Sequence, residues 1–177
     1  MSDDCVHLEI ERKYLLSGVP SIPQGAEVLR IEQGYMGGDS AGMSIRPGRL
    51  RRITHRDGRV QHIHTIKQGD GLVRVEQERE ISKEEFETWW PSTLGRRLTK
   101  VRHRVPSGDV VWEIDVFEKL GVVLAEVELA DANEQVDIPR WVADCLVREV
   151  TDEPAFRNSE LACRAEAARD GTANLGF

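Results

Sequence analysis

The chain has 177 residues, the size of one domain, and its 40% of hydrophobic residues supplies enough apolar material for a core, which argues against a disordered chain. No run approaches the roughly 18 apolar residues of a membrane helix, and the acidic start does not resemble a signal peptide. We therefore expect a soluble, cytoplasmic protein. The net charge of −7, from 31 acidic and 24 basic residues, excludes nucleic acid and anionic membranes as expected partners.

Alternation of apolar and polar residues predicts a series of β-strands, because successive side chains of a strand point to opposite faces. We predict strands at 7–15, 26–34, 43–54, 60–67, 72–81, 98–105, 110–117 and 122–129. Asp57-Gly58 is a hairpin signal between two of them.

Helical patterns are confined to short segments. Ser82-Lys83-Glu84-Glu85 has the form of a capping box, and the helix that it opens should end before Pro91. A short helix and loop are expected at 131–142, and a terminal helix at 154–169. The pattern predicts one α+β domain over residues 1–170, followed by a flexible tail at 171–177.

The polar side of nearly every predicted strand carries Glu, Asp, Arg or Lys. These residues are Glu9, Glu11, Lys13, Arg49, Arg51, Lys67, Arg74, Glu76, Glu78, Glu80, Lys100, Arg102, Arg104, Glu113, Asp115, Glu126 and Glu128. One interpretation is the ordinary solvated face of an antiparallel sheet, which is the better choice for any single strand. The other is a barrel whose interior is charged and whose apolar exterior is covered by helices or by a partner subunit.

A charged interior is costly unless its ions pair or a charged ligand fills it. Clustered Arg and Lys supply donors for phosphate oxygens, and clustered carboxylates hold a hard divalent cation. The second interpretation therefore predicts a site for a metal–polyphosphate complex.

The segment Glu9-Ile10-Glu11-Arg12-Lys13 has the ExExK form that marks the CYTH superfamily, the triphosphate tunnel metalloenzymes. The resemblance continues in chain order through Arg49-Leu50-Arg51, Thr65-Ile66-Lys67, Glu78-Arg79-Glu80-Ile81, Lys100-Val101-Arg102, Glu113-Ile114-Asp115-Val116-Phe117 and Ala125-Glu126-Val127-Glu128. It implies an eight-stranded antiparallel β-barrel that forms a tunnel with a charged interior, flanking helices and a C-terminal helix.

The resemblance also implies site residues. Those that would bind the triphosphate are Lys13, Arg49, Arg51, Lys67, Lys100, Arg102 and Arg157. Those that would hold the metal, Mg²⁺ or Mn²⁺, are Glu9, Glu11, Glu78, Glu80, Glu113, Asp115, Glu126 and Glu128. The expected catalytic residues are Lys13, Glu11, Arg51 and Lys67.

Three local features bear on this site. Pro47-Gly48 interrupts the run of arginines, which leaves open whether Arg46 reaches the tunnel, and Phe156 stands where the family often has a tyrosine. His62 and His64 have a metal-like spacing, but their parity places them outside the tunnel, opposite Lys67.

The expected function is metal-dependent hydrolysis of a triphosphate, with inorganic tripolyphosphate as substrate and pyrophosphate and phosphate as products. A class IV adenylate cyclase or a thiamine or nucleoside triphosphatase would share the fold. A non-enzymatic polyphosphate-binding module and an interaction scaffold remain as alternatives of another class. A homodimer is a further alternative, since a partner subunit could cover the apolar exterior of the barrel.

Overall fold

The computed structural model describes residues 5–37, 47–68 and 73–169, with the backbone alone for 5–9, 68, 73, 74 and 169. The strands are β1 (Cys5–Leu16), β2 (Glu27–Tyr35), β3 (Arg49–His55), β4 (Val60–Gln68), β5 (Val73–Glu80), β6 (Arg97–Ser107), β7 (Val110–Phe117), β8 (Val122–Glu128) and β9 (Leu146–Glu149). The helices are α1 (Lys83–Trp89), α2 (Arg140–Ala143) and α3 (Asn158–Arg169).

Eight strands follow one another in the order β5-β4-β3-β2-β6-β7-β8-β1, and every pairing is antiparallel. Strand β1, at one end of this order, also pairs with β5 at the other end. Its residues 11–16 pair with β8, and its residues 5–10 pair with β5. The sheet is therefore joined through the two halves of one long strand and not by a single continuous ladder. This confirms the predicted antiparallel tunnel fold, but the sheet has nine strands and not eight, because β9 also pairs with β1, and it is not a regularly closed barrel.

The apolar side of the strands faces outward and is covered by the chain itself. Over β1, β7 and β8, buried residues such as Trp112 and Val127 pack against the segment that leads into α2 and against Trp141 of that helix. Over β3, Leu50 packs with Phe86 of α1. The prediction of an apolar exterior under helices is thus confirmed.

One end of the tunnel is filled by a third apolar cluster. Leu98, Phe117 and Leu124 from the strands pack there against Leu161 and Ala165 of α3. The terminal helix therefore fastens the end at which β6 begins and β7 ends, and the charged residues lie above this apolar floor.

Most predicted elements are found near their expected bounds. Helix α1 has the full capping box, with Ser82 and Glu85 each accepting from the other's backbone N–H, and it ends at Trp89 before a 3₁₀ turn that contains Pro91. Of the segment 131–142, only the last residues are helical, and β9 was not predicted. None of the described helices is long and apolar enough to cross a membrane.

Some predictions fall on other parts of the chain. Residues 43–46, with Arg46, residue 72 and the tail at 171–177 lie outside the described residues. His62 and His64 lie outside the tunnel as predicted, buried beneath α1, with ring centroids 4.7 Å from Phe86 and 6.3 Å from Trp89, respectively.

Candidate active site

A cavity of about 900 Å³ lies within the ring of strands above the apolar floor. Many of its lining residues are charged, and most of these alternate along strands. Those described are Glu11, Lys13, Arg49, Arg51, Lys67, Glu76, Glu78, Arg102, Arg104, Asp109, Glu113, Glu126, Glu128, Glu153 and Arg157. The charged faces of separate strands thus converge on one volume, as the barrel interpretation predicted.

The carboxylates are concentrated on the adjacent strands β7, β8 and β1. Glu113 lies directly opposite Glu126, and Glu128 lies directly opposite Glu11. Like charges at such positions repel each other unless a cation lies between them. Lys13 offsets part of this repulsion, because its Nζ lies 2.8 Å from Glu126 and 3.3 Å from Glu11.

The cations are concentrated on β3, β4 and β6, and β6 is the direct neighbour of the acidic strand β7. Arg49 and Lys67 both approach the buried Glu76 of β5, with nitrogen–oxygen distances of 3.0 and 3.5 Å. Arg51 pairs with Glu78, which also accepts a hydrogen bond from Thr65. These three cationic side chains line the cavity, and their carboxylate partners hold them in place.

Arg102 connects the two groups of charges. It donates to Asp115 through Nε and Nη2, at 2.6 and 2.7 Å, and its Nη2 also lies 2.7 Å from Glu126. A third contact joins it to Glu113. A guanidinium with this many fixed acceptors has little freedom to rotate, so its position in the cavity wall is well defined.

Lys100 and Asp115 form an ion pair beneath the cavity. Their side chains are 2% and 0% exposed, and Lys100 Nζ lies 5.5 Å from the Phe117 ring in the apolar floor. Neither residue is among the described lining residues. The structure therefore brings both to the site but places them under Arg102, where they support it.

Burial and neighbouring charges shift several pKa values in this network. For Glu126, burial would raise the pKa, but attraction by Lys13, Lys100 and Arg102 outweighs it and holds the pKa well below the usual range. For Lys100, burial and the nearby Arg102 lower the pKa to about 8 despite Asp115. Burial and Arg49 similarly lower the pKa of Arg51 to about 10.

Other predicted site residues lie at different places. Arg157 lines the cavity at the start of α3, whereas Glu80 is exposed at the end of β5 and is not among the described lining residues. Glu9 belongs to β1, but its side chain lies outside the description, as does the whole of Arg46.

The structure also adds cavity residues that the sequence analysis did not select for the site. Glu76 is 4% exposed and holds two cations, and Arg104 pairs with Glu113 at 3.0 Å. Tyr35 lines the cavity from β2, where Gln33 donates to its hydroxyl. Glu76 and Arg104 follow the charged alternation and could have been selected, whereas neutral Gln33 and Tyr35 carry no charge signal.

The donor set fits a hard divalent cation, since all of its ligands would be carboxylate oxygens. Within the described residues, no three His, Cys, Asp or Glu side chains converge into a closed metal cage. Mg²⁺ does not need one, because it keeps several waters and takes one or two carboxylates together with substrate phosphates. The facing pairs Glu11–Glu128 and Glu113–Glu126 supply carboxylates of this kind.

A tunnel of antiparallel strands with an interior of paired acids and bases defines the class of the triphosphate tunnel metalloenzymes. Comparison with known proteins agrees. The chain is 33% identical over 160 residues to the inorganic triphosphatase of Nitrosomonas europaea, covering 87% of this chain and 96% of that protein. It is 31% identical over 157 residues to the inorganic triphosphatase of Acetivibrio thermocellus, covering 86% and 92%.

The crystal structure of the inorganic triphosphatase NE1496 matches with a TM-score of 0.56 and 29% identity over 87% of this chain and 97% of that one. No family model matches. The two curated relatives and the fold place the chain in the inorganic triphosphatase family, within the CYTH superfamily.

Proposed function

We propose that this protein hydrolyses inorganic tripolyphosphate to pyrophosphate and phosphate with the help of a divalent cation. The observation that carries the proposal is the division of the cavity into a half rich in carboxylates, on β7, β8 and β1, and a half rich in cations, on β3, β4 and β6. A polyanion bound with its counter-cations needs both halves at once. The identity to two inorganic triphosphatases supports the same substrate.

The cations would bind and orient the phosphate chain. Arg49, Arg51 and Lys67 approach it from one side and Arg102 from the other, each held by a carboxylate. Phosphoryl transfer gains most from positioning and charge stabilisation, so fixed cations are well suited to it. Lys13 lies among the carboxylates and would reach the phosphates from that half.

Carboxylates of the acidic half would hold the metal. Glu11 and Glu128 face each other and line the cavity, and Glu126 and Glu113 lie deeper on the same wall. A bound Mg²⁺ or Mn²⁺ supplies neutralisation of phosphate charge and activation of water. In the reaction, water attacks the terminal phosphorus of tripolyphosphate. The bond between this phosphorus and the bridging oxygen breaks, and pyrophosphate leaves.

ATP and thiamine triphosphate differ from tripolyphosphate in the organic group that they carry, which the cavity would also have to hold. Among the described lining residues, the aromatic rings are those of Tyr35 and Phe156, and Phe156 is only 4% exposed, so these residues offer few rings for stacking on a purine. This favours inorganic tripolyphosphate over ATP, and hydrolysis over cyclisation. For its surroundings we propose the cytoplasm, in keeping with the free thiols Cys145 and Cys163. The homodimer remains a prediction.

The test is phosphate release from tripolyphosphate, ATP and thiamine triphosphate in parallel, with Mg²⁺, with Mn²⁺ and with EDTA. Cyclic AMP is measured in the ATP reactions. We expect metal-dependent release that is fastest with tripolyphosphate. Cyclic AMP without phosphate release would assign the protein to the cyclases, and tight tripolyphosphate binding without any product would make it a binding module.

A further inference from the structure

A row of four cavity-lining arginines follows strand β2, which has β3 on one side and β6 on the other. In order along β2 they are Arg104 opposite Glu27, Arg102 opposite Leu29, Arg51 opposite Gln33 and Arg49 opposite Tyr35. Two residues of a strand span about 6.6 Å, so Arg104 extends the row by about that distance beyond Arg102. It lies at the end of the row that is away from Arg49.

The guanidinium of Arg104 is held by two carboxylates and remains accessible. Its Nε donates to Glu113 and its Nη1 donates to Glu27, both at 3.0 Å. The Arg104 side chain is 42% exposed and lines the cavity. A guanidinium has five N–H donors in a fixed fork, so these two bonds leave further N–H groups for an anion that enters the cavity.

Glu27 is itself fixed on the side away from Arg104. Its Oε2 accepts from Arg104, and its Oε1 lies 3.4 Å from Nδ1 of His55. The His55 side chain is only 12% exposed, and its Nε2 lies 2.6 Å from Oε1 of Gln61. Arg104 is thus supported by a chain of contacts that runs from β6 through β2 and β3 to β4.

Arg104 and Arg102 share one carboxylate. Glu113 lies between them and contacts each guanidinium through a different oxygen. A phosphate offers charged oxygens of the same kind, so it can bind the same pair of arginines. The terminal units of tripolyphosphate carry one more non-bridging oxygen and more charge than the middle unit. A pair of guanidinium groups at the end of a row of cations therefore suits a terminal unit best.

We propose that Arg104 is a substrate-contacting residue that, together with Arg102, binds the terminal phosphate at the end of the chain away from Arg49. Glu27 is the positioning residue that holds Arg104 in the cavity wall. The proposal deepens the proposed function and rests on it for the identity of the ligand.

The test compares two arginines of the chain. Arg104→Gln removes the guanidinium from the cavity. Arg140→Gln is the matched control, because it removes the same group from α2, where the side chain is 94% exposed and lies 4.0 Å from Asp144. Tripolyphosphate binding is measured by calorimetry in EDTA, kcat and KM are measured with Mg²⁺, and thermal unfolding reports on the fold.

A hydrogen bond to a charged group corresponds to about 10- to 100-fold in affinity. We expect Arg104→Gln to weaken tripolyphosphate binding by at least about 10-fold and to lower kcat/KM by a similar factor. Its melting temperature should equal that of the control, because ion pairs of half-exposed side chains add little to stability. Equal affinity and equal kcat/KM in the two variants would overturn the proposal.

Glu27→Gln tests the positioning role, since it keeps the shape of the side chain and removes its charge. We expect it to change the affinity for tripolyphosphate in the wild-type background and not in the Arg104→Gln background, because Glu27 acts through Arg104. No change in either background, or the same change in both, would refute the positioning role. The calorimetry needs no turnover, so a wild type that binds tripolyphosphate but releases no phosphate would disprove the proposed function and still report on Arg104.

Discussion

At the scale of single residues, the charged side chains of the site differ in how deeply they are buried. Glu128 is exposed at the cavity wall, whereas Asp115 is 0% exposed and holds Lys100 and Arg102. The sequence analysis gave both the same expected role, as metal ligands. Their surroundings predict different consequences when each is neutralised.

Glu128→Gln should reduce activity with little effect on stability. Loss of one preorganised electrostatic group costs about 100- to 1,000-fold in kcat, whereas substitutions of exposed residues stay within about 0.5 kcal/mol of the wild-type stability. Tripolyphosphatase rates and urea unfolding of the same preparation measure the two effects. Glu84→Gln, on the exposed side of α1, is the control. Parallel losses of rate and stability in Glu128→Gln would contradict its placement at the substrate.

Asp115→Asn should destabilise the fold. Removal of one partner from a buried ion pair leaves the others uncompensated and costs about 3–5 kcal/mol. Urea unfolding should show this loss. A variant as stable as the wild type would mean that Asp115 does not hold Lys100 and Arg102.

Glu126 should make stability depend on acid pH. Its pKa lies well below the usual value of 4.5 in the folded protein, so the stabilisation is complete above 4.5 and is lost as the pH falls through the folded pKa. Urea unfolding from pH 7 to pH 3 should show a decline below pH 4.5 that is shallower in Glu126→Gln. An unchanged slope in this variant, relative to Glu84→Gln, would contradict the shift.

At the scale of elements, helix α1 covers the outside of the sheet without contributing to the described cavity wall. Phe86 is 0% exposed and stacks on Trp90 at 4.9 Å, and Arg52 lies over its face. The N-terminus of the helix is held by the reciprocal bonds of Ser82 and Glu85. This element should therefore affect stability and not catalysis.

Ser82→Ala should lower the free energy of unfolding by about 1 kcal/mol, because the N-cap hydroxyl satisfies a backbone N–H of the first turn. For a chain of this size the melting temperature should fall by about 2–4 °C, with an unchanged kcat/KM. Lys83→Ala, at an exposed position next to it, should change neither. A fall in kcat/KM for Ser82→Ala would show that α1 is coupled to the site.

At the scale of the whole molecule, the tunnel gathers charges from seven strands, β1 and β3 to β8, so a ligand that fills it contacts most of the sheet at once. The repulsion between facing carboxylates and between neighbouring arginines is a cost that the folded protein carries. A metal–triphosphate complex would relieve both, which links binding to stability.

Tripolyphosphate with Mg²⁺ should therefore raise the melting temperature. At a concentration of 100 times Kd, the gain is about 2.7 kcal/mol, or about 5–10 °C for this chain length. Thermal unfolding with tripolyphosphate, with orthophosphate and with neither measures it. No shift at millimolar tripolyphosphate would favour a scaffold without a ligand site.

Much of the fold followed from the sequence because its strands alternate strictly. Glu11 and Lys13, like Glu126 and Glu128, are two positions apart, which predicted that they share one charged face of their strand. The structure confirms that this face lines the cavity and that the opposite face is apolar and covered. Strand β9 could not be predicted, because 146–149 is a short, largely exposed segment without an apolar alternation. Its pairing depends on the free edge that β1 offers at Tyr14 and Leu15.

The sequence by itself determined which residues share the charged face, because a strand fixes the side of every second side chain and the order of the motifs indicates the family. Only the tertiary structure decided the depth of each residue. Strand register placed Asp115 beneath Arg102 and left Glu80 exposed at a strand end. It also brought the neutral Gln33 and Tyr35 into the basic half, since contacts between distant strands depend on how the sheet closes and are not encoded in local alternation.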